Sequence, residues 1–276
     1  VLVEVHYISL NFGDLAGSAR QPAGFIPGWD AAGIVVSAAA NGSGPPVGTR
    51  VSTVDLDQGG WAERRSVNVG NLAIVPDAVG LDVAASLPVA GVSALRALRH
   101  CGSLFGKRVL ITGASGGVGR FAVQLAAQSG ATVIASVGSP ARGEGLRELG
   151  ADEVVIGLEG VEAPIDIVID NVGGPQLGEA FFLLGEGGII QCVGNASRQE
   201  TVLPRGGGGL RVRQRSIISF FAGDQMGADI AVLLELITKG RLKVEIGYSG
   251  PWQDIVRAKD ALFARTVAGK AVLSLR

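Results

Sequence analysis

Six consecutive residues, Ala114-Ser115-Gly116-Gly117-Val118-Gly119, stand between the apolar run "RVLITG" and an amphipathic helix pattern. Their spacing suits the binding of a pyrophosphate. Gly116 lets the backbone approach the anion, Gly119 lets the following helix lie against its strand, and the first N–H groups of that helix face the negative charge. Ala114 stands where the first glycine of the dinucleotide fingerprint is usual. A strand before, a helix after and the strand "TVIASV" beyond supply the context that a lone glycine pattern lacks, so all six residues are expected cofactor contacts. At the end of that second strand an acid would accept bonds from the ribose 2′-OH of NAD. In "ASVGSPARGEGL" no acid occurs before Glu144, and Ser136, Ser139 and Arg142 offer hydrogen-bond donors instead. Arg142 can pair with a 2′-phosphate, so the expected cofactor is NADP(H).

Other residue types narrow the chemistry. Cys101 and Cys192 form neither a disulfide framework nor a CxxC pair, which fits a reducing cytoplasm. A net charge of -1 supplies no positive field to recruit nucleic acid. No apolar run approaches the roughly 18 residues of a membrane span. The expected partner is a small molecule.

These residues must be positioned by the chain around them. Its 276 residues, 47% of them hydrophobic, suffice for about two domains at roughly 150 residues each. The chain opens without methionine in "VLVEVHYISLN", alternating like a strand already under way, so upstream residues are expected. Residues 1 to 88 read as β-rich, with "GIVVSA", "RVSTV" and "LAIVP" as short strands between Gly, Pro and Asn. After a helix at "VSALRALRH", strands and helices alternate: "RVLITG", helix 117–129, "TVIASV", helix 141–149, "EVVI", "IDIVID", helix 175–184 and "GIIQCVG". That alternation predicts a doubly wound parallel sheet, an α/β Rossmann domain. In the first of these helices Val118, Phe121, Ala122 and Leu125 share the face toward the sheet, with Arg120, Gln124 and Gln128 on the other side.

Many segments, in order, resemble the zinc-independent medium-chain dehydrogenases/reductases of the quinone oxidoreductase group: "SLNFGDL", "PGWDAAGIV", "GTRVSTV", "SLPVAGVSAL", the glycine turn, "LRELGADEVV", "VIDNVGG", "GEGGIIQCVG" and "GKAVLSLR". The resemblance implies a GroES-like, partly open β-barrel substrate domain from residues 1–88 and 241–276, an NADP(H)-binding domain from 89–240, a cleft between them and a homodimer. It also implies that Ser93, Asn171, Gly173, Gly194 and Asn195 neighbour the cofactor and that Phe221, with Phe220, walls the nicotinamide. The expected activity is NADPH-dependent reduction of a quinone or an α,β-unsaturated carbonyl. A zinc-free carbonyl or alcohol oxidoreductase, a trans-acting enoyl reductase and a non-enzymatic nucleotide-binding protein stay open as alternatives.

The same resemblance bears on the reacting groups. Related alcohol dehydrogenases hold catalytic zinc through a cysteine where this chain has Asn11, and neither their catalytic nor their four-cysteine structural ligand set is present. Without that Lewis acid, Asn11 is the expected catalytic residue, its amide donating to the acceptor carbonyl. "LNFGD" also resembles the enoyl reductase domains of polyketide synthases, but the tyrosine those usually carry soon afterwards is missing. Asp14 reads as a local cap or a proton donor, Tyr7 and Tyr248 lie elsewhere, and water is the simpler proton source. Gly157 replaces a tyrosine that many relatives place near the 2′-phosphate. Arg211, Arg213 and Arg215, spaced by two, read as one face of an edge strand.

Overall fold

The computed structural model describes residues 1–18, 21–57, 59–203 and 214–276. Within it the chain divides into two units, 1–92 with 222–276 and 93–221. The first is built on a seven-stranded sheet of β1 (Leu2–Leu10), β2 (Asp30–Ser37), β3 (Arg50–Val54), β4 (Arg64–Ser66), β5 (Leu72–Ile74), β12 (Ile246–Pro251) and β13 (Lys270–Ser274). Its order is β12-β13-β1-β2-β3-β5, with β4 pairing β1. Only β12 and β13 pair in parallel; the β1–β2 and β1–β13 ladders are antiparallel. Register therefore decides what meets: Ser9 faces Asp30 and Leu10 faces Ala271, so the end of β1 and the starts of β2 and β13 converge. Short helices α1 (Phe12–Ser18), α2 (Leu81–Ala85) and α7 (Ile255–Phe263) belong to this unit. Its core joins Val5, Ile8, Leu10, Trp61 and Leu273, with Tyr248 packed against it. Each such fully buried aliphatic side chain contributes about 1.5–3 kcal/mol.

The second unit holds a six-stranded parallel sheet in the order β11-β10-β9-β6-β7-β8. The strands are β6 (Arg108–Ile111), β7 (Thr132–Val137), β8 (Glu153–Ile156), β9 (Ile165–Asp170), β10 (Leu184–Cys192) and β11 (Ser216–Ser219). Helix α3 (Pro88–His100) enters it, α4 (Gly117–Gln128) links β6 to β7, and α5 (Gly174–Leu183) links β9 to β10. From β6 the chain runs outward to β7 and β8, then returns to β9 on the other flank of β6. Strand order thus reverses between β6 and β9, and in such sheets ligands bind beyond the carboxyl ends of the strands at that point.

Three features go beyond the local sequence pattern, and the second of them corrects an expectation. The first unit takes in residues 222–276, where α6 (Gly227–Thr238) packs on β5 so tightly that a Cβ on Gly227 would lie 2.3 Å from the Leu72 carbonyl oxygen. No α-helix spans 141–149; a 3-10 turn at Pro140–Gly143 is followed by Gly145 and Gly150 at φ +74° and +108°, values that a helix cannot hold. Finally, Arg120 and Gln124, on the side of α4 away from its sheet-facing residues, are buried: Arg120 donates to the Ser115 and Glu144 carbonyls, and Gln124 Nε2 to the Arg120 carbonyl. A polar side chain enters the interior when such bonds replace water.

Candidate active site

In the second unit the glycine turn forms where β6 ends. Gly116 takes the N-cap position of α4 with extended backbone, φ -80° and ψ 179°, and no side chain caps the helix. A Cβ there would first meet the Gly113 carbonyl oxygen at 3.4 Å, whereas one on Gly119 would stand 2.5 Å from that oxygen and 2.6 Å from Ala114 Cα. Gly116 is thus small toward an incoming ligand, and Gly119 toward its own strand. Ala114 and Ser115 are buried, while Gly116, Gly117 and Val118 are half-buried.

The end of β7 lies alongside. Arg142 Nε donates to Ser115 Oγ at 3.0 Å, bringing the arginine of the second strand's exit onto the first strand's turn. Ser139 is half-buried at the start of the 3-10 turn, and the Arg142 N–H donates to its carbonyl. Ser136 is buried, its hydroxyl donating to the Gly157 carbonyl (2.7 Å) and accepting from Gln176 Nε2 (3.0 Å). Its proton is committed to the protein, so Ser139 and Arg142 are the better placed donors for a ligand.

Across the reversal, β9 and β10 exit together. Asp170, fully buried, accepts from Thr112 Oγ1 (2.6 Å) and the Gly173 N–H (2.9 Å), and burial raises its pKa. Asn171 donates through its backbone N–H to Thr112 Oγ1 and through Nδ2 to the Thr112 carbonyl, leaving its buried Oδ1 without a protein partner. A Cβ on Gly173, at φ +68°, would fall 2.5 Å from Asn195 Oδ1; one on Gly194 would fall 2.9 Å from the Asn171 carbonyl oxygen. The structure therefore brings Asn171, Gly173, Gly194 and Asn195 together. Thr112 and Asp170, which stitch β6 to β9, were not singled out by sequence; an acid closing the apolar strand "IDIVID" was the available signal. Ser93 is buried on α3, Phe220 stacks at 5.9 Å from His100, and Phe221 is 74% exposed. Arg211 and Arg213 lie outside the described residues, and Arg215 donates to the Phe181 carbonyl and stacks on its ring.

The first unit gathers a second set of polar groups where β1, β2 and β13 converge. Asn11 Nδ2 donates to Asp14 Oδ2 (3.1 Å) and Asp30 Oδ2 (2.8 Å), while its Oδ1 accepts from Lys270 Nζ (2.6 Å). Lys270 Nζ also lies 3.3 Å from the Leu10 carbonyl oxygen and 3.5 Å from Asp30 Oδ2. Asp30 Oδ1 accepts from the Val89 N–H, and Asp14 Oδ2 from the Asn11 N–H. Asp14, Asp30 and Lys270 are all buried. Desolvation, reinforced by the Asp30 charge, pushes Asp14 up to about 8, and its buried Oδ1 has no hydrogen-bond partner among the described residues. Burial also raises Asp30, against the pull of Lys270, and lowers Lys270. Lys270, hidden in the motif "GKAVLSLR", was missed as a site residue, although a lysine opening an apolar strand was a signal.

Among the described residues no three or more His, Cys, Asp or Glu side chains stand together as metal ligands, and an ammonium already compensates Asp30. Cys101 and Cys192 are free thiols, both pushed up to about 11 by burial. No helix among the described residues is long and apolar enough to cross a membrane.

With this geometry in place, comparison with known proteins is informative. The alcohol dehydrogenase GroES-like domain family matches residues 1–86, and the zinc-binding dehydrogenase family matches residues 117–239. The human quinone oxidoreductase is 28% identical over 299 residues, spanning 100% of this chain and 89% of its own. Acryloyl-coenzyme A reductase of Metallosphaera sedula is 29% identical over 80% of this chain and 66% of its own length. The low-reducing polyketide synthase drtA of Aspergillus calidoustus is 30% identical over 74% of this chain, which spans only 9% of that protein. Among solved structures, a mycobacterial protein complexed with NADPH superposes with a TM-score of 0.87 at 25% identity, covering 99% of this chain and 90% of the other.

Proposed function

Since the chain belongs to the medium-chain dehydrogenases/reductases of the quinone oxidoreductase type, with a GroES-like and a Rossmann domain, we propose that it is an NADPH-dependent reductase of quinones or α,β-unsaturated carbonyls that works without zinc. The observation that carries this reading is the uncapped glycine turn with Arg142 bonded to Ser115 beside it, at the strand-order reversal of a parallel sheet. Bound NADPH supplies the hydride. The Gly116–Gly119 segment would take the pyrophosphate through its N–H groups, and Arg142 with Ser139 would take the 2′-phosphate. Asn171, Gly173, Gly194 and Asn195 would line the nicotinamide side, where the unpartnered Asn171 Oδ1 offers an acceptor. Ser93 and Phe221 complete the proposed set.

Asn11 is assigned to the acceptor carbonyl. Both of its amide N–H bonds are engaged, so donation to substrate requires exchanging one of them, and the longer bond, to Asp14, is the cheaper to exchange. A protonated Asp14 strengthens this preference, because a neutral carboxyl is a weaker acceptor than a carboxylate. Asp30 and Lys270 hold the amide in register during the exchange. Edge strand β11, exposed at all four residues, supports a homodimer, and the two free thiols support a cytoplasmic setting. NADPH oxidation measured against a panel of quinones, enones and aldehydes, with and without chelator, tests the reading. Turnover of quinones or enones that survives chelation supports it. Turnover of aldehydes alone, zinc-restored turnover, or none at all refutes it.

A further inference from the structure

Arg120 is the one buried guanidinium of helix α4, only 5% exposed, and the function just proposed gives it no role. Its Nε donates to the Ser115 carbonyl at 3.3 Å and its Nη2 to the Glu144 carbonyl at 3.0 Å. Nη1 runs along the same loop, 3.5 Å from where a Cβ on Gly145 would stand. These acceptors belong to different segments: Ser115 to the turn after β6, Glu144 to the loop after β7. Burying a guanidinium is costly unless carbonyls replace its water, so the arrangement persists only while both segments stay in place. Ser115 is held from two sides, its carbonyl by Arg120 and its hydroxyl by Arg142 Nε at 3.0 Å. Arg142 lies two residues before Glu144, within the 3-10 turn that leads into the clamped carbonyl.

We propose that Arg120 is a positioning residue for cofactor selectivity: by clamping the glycine turn to the 140–145 loop it holds Arg142 where a 2′-phosphate is recognised. The proposal rests on the assignment of Arg142 to that phosphate. A planar fork that spans two carbonyls is something lysine cannot reproduce, although lysine keeps the charge. Arg120 itself does not touch the ligand in this scheme; it sets the place and orientation of the group that does.

The test is calorimetric titration of Arg120→Lys, Arg142→Ala and the double variant with NADPH and NADH, and with adenosine 2′,5′-bisphosphate against AMP as the minimal probes. Arg120→Lys should lower the preference for the 2′-phosphorylated ligand by about tenfold, the loss of roughly one hydrogen bond to a charged group, with NADH affinity nearly unchanged. In the Arg142→Ala background the same substitution should change the preference little, because the group it positions is gone. Should Arg120→Lys fail to fold, Arg120→Gln, which retains a donor for one carbonyl, carries the same expectation. Equal weakening of both ligands, which a merely structural role produces, overturns the proposal. So does an unchanged preference, or full additivity in the double variant. If Arg142→Ala alone leaves the preference intact, the phosphate assignment itself fails; if only the Arg120 variants leave it intact, that assignment stands and the clamp falls.

Discussion

Replacing Asp14 with asparagine should change the protein's stability in a pH-dependent way. In the folded chain the carboxyl is pushed from 3.8 to about 8, by burial first and by the Asp30 charge second, while Lys270 and the Asn11 bonds oppose the rise. Between those two pH values the native state holds a proton that the unfolded chain has released. Raising the pH through that window therefore costs stability, and above about 8 the loss is complete. At about 1.4 kcal/mol per pH unit, the full rise sets a ceiling of about 6 kcal/mol. From pH 6 to 8 the expected loss is about 2–3 kcal/mol, or roughly 4–10 °C in Tm. The side-chain amide introduced by Asp14→Asn would keep an oxygen to accept from the Asn11 N–H groups and would place a nitrogen where Oδ1 now stands unpartnered. Below about pH 4 the variant should match the parent, and its advantage should grow as the pH rises through the neutral range toward 9. Asp30, Lys270 and Arg65 remain in both proteins and each interacts with the Asp14 charge, so the difference between the two Tm–pH curves reports the substituted carboxyl together with its coupling to them. Thermal melts from pH 5 to 9 decide the matter: parallel curves would refute a carboxyl that stays protonated in the neutral range.

Three further outcomes are expected. Arg142→Ala should reduce the preference for NADPH over NADH by about 1.5–3 kcal/mol, read from paired titrations; a smaller change means the phosphate is bound elsewhere. Gly116→Val should abolish nucleotide binding yet leave the circular dichroism spectrum intact, since a Cβ there meets the Gly113 oxygen only at 3.4 Å, whereas Gly119→Val should unfold the second unit by forcing α4 off β6. Asn11→Ala should lower kcat more than it raises the Kd for NADPH, by at most about 2.7–4 kcal/mol in activation free energy, and unaltered steady-state kinetics would remove Asn11 from the reaction.

Local pattern carried much of this protein in its sequence. The alternation of short apolar strands with amphipathic helices was enough to establish a parallel doubly wound sheet, because each strand and helix announces itself by its own period. The glycine turn was legible for a related reason: Gly116 and Gly119 answer to contacts within one strand–turn–helix unit, close along the chain. What only the tertiary structure decided depends on groups far apart in sequence. Lys270 reaches Asn11 and Asp30 because two antiparallel ladders bring the start of β13 beside the end of β1 and the start of β2. No periodicity in "GKAVLSLR" encodes that meeting, nor the desolvation that follows from it. Helical spacing placed Arg120 on the side away from the sheet-facing residues, and spacing cannot see the 140–145 loop whose Glu144 carbonyl it bonds. Ser136 likewise looked like a ligand donor until Gly157 and Gln176, distant in the chain, were found on its hydroxyl. Propensity and pattern act over a few residues, but the burial and pairing that set a polar group's chemistry are fixed only when the sheets assemble.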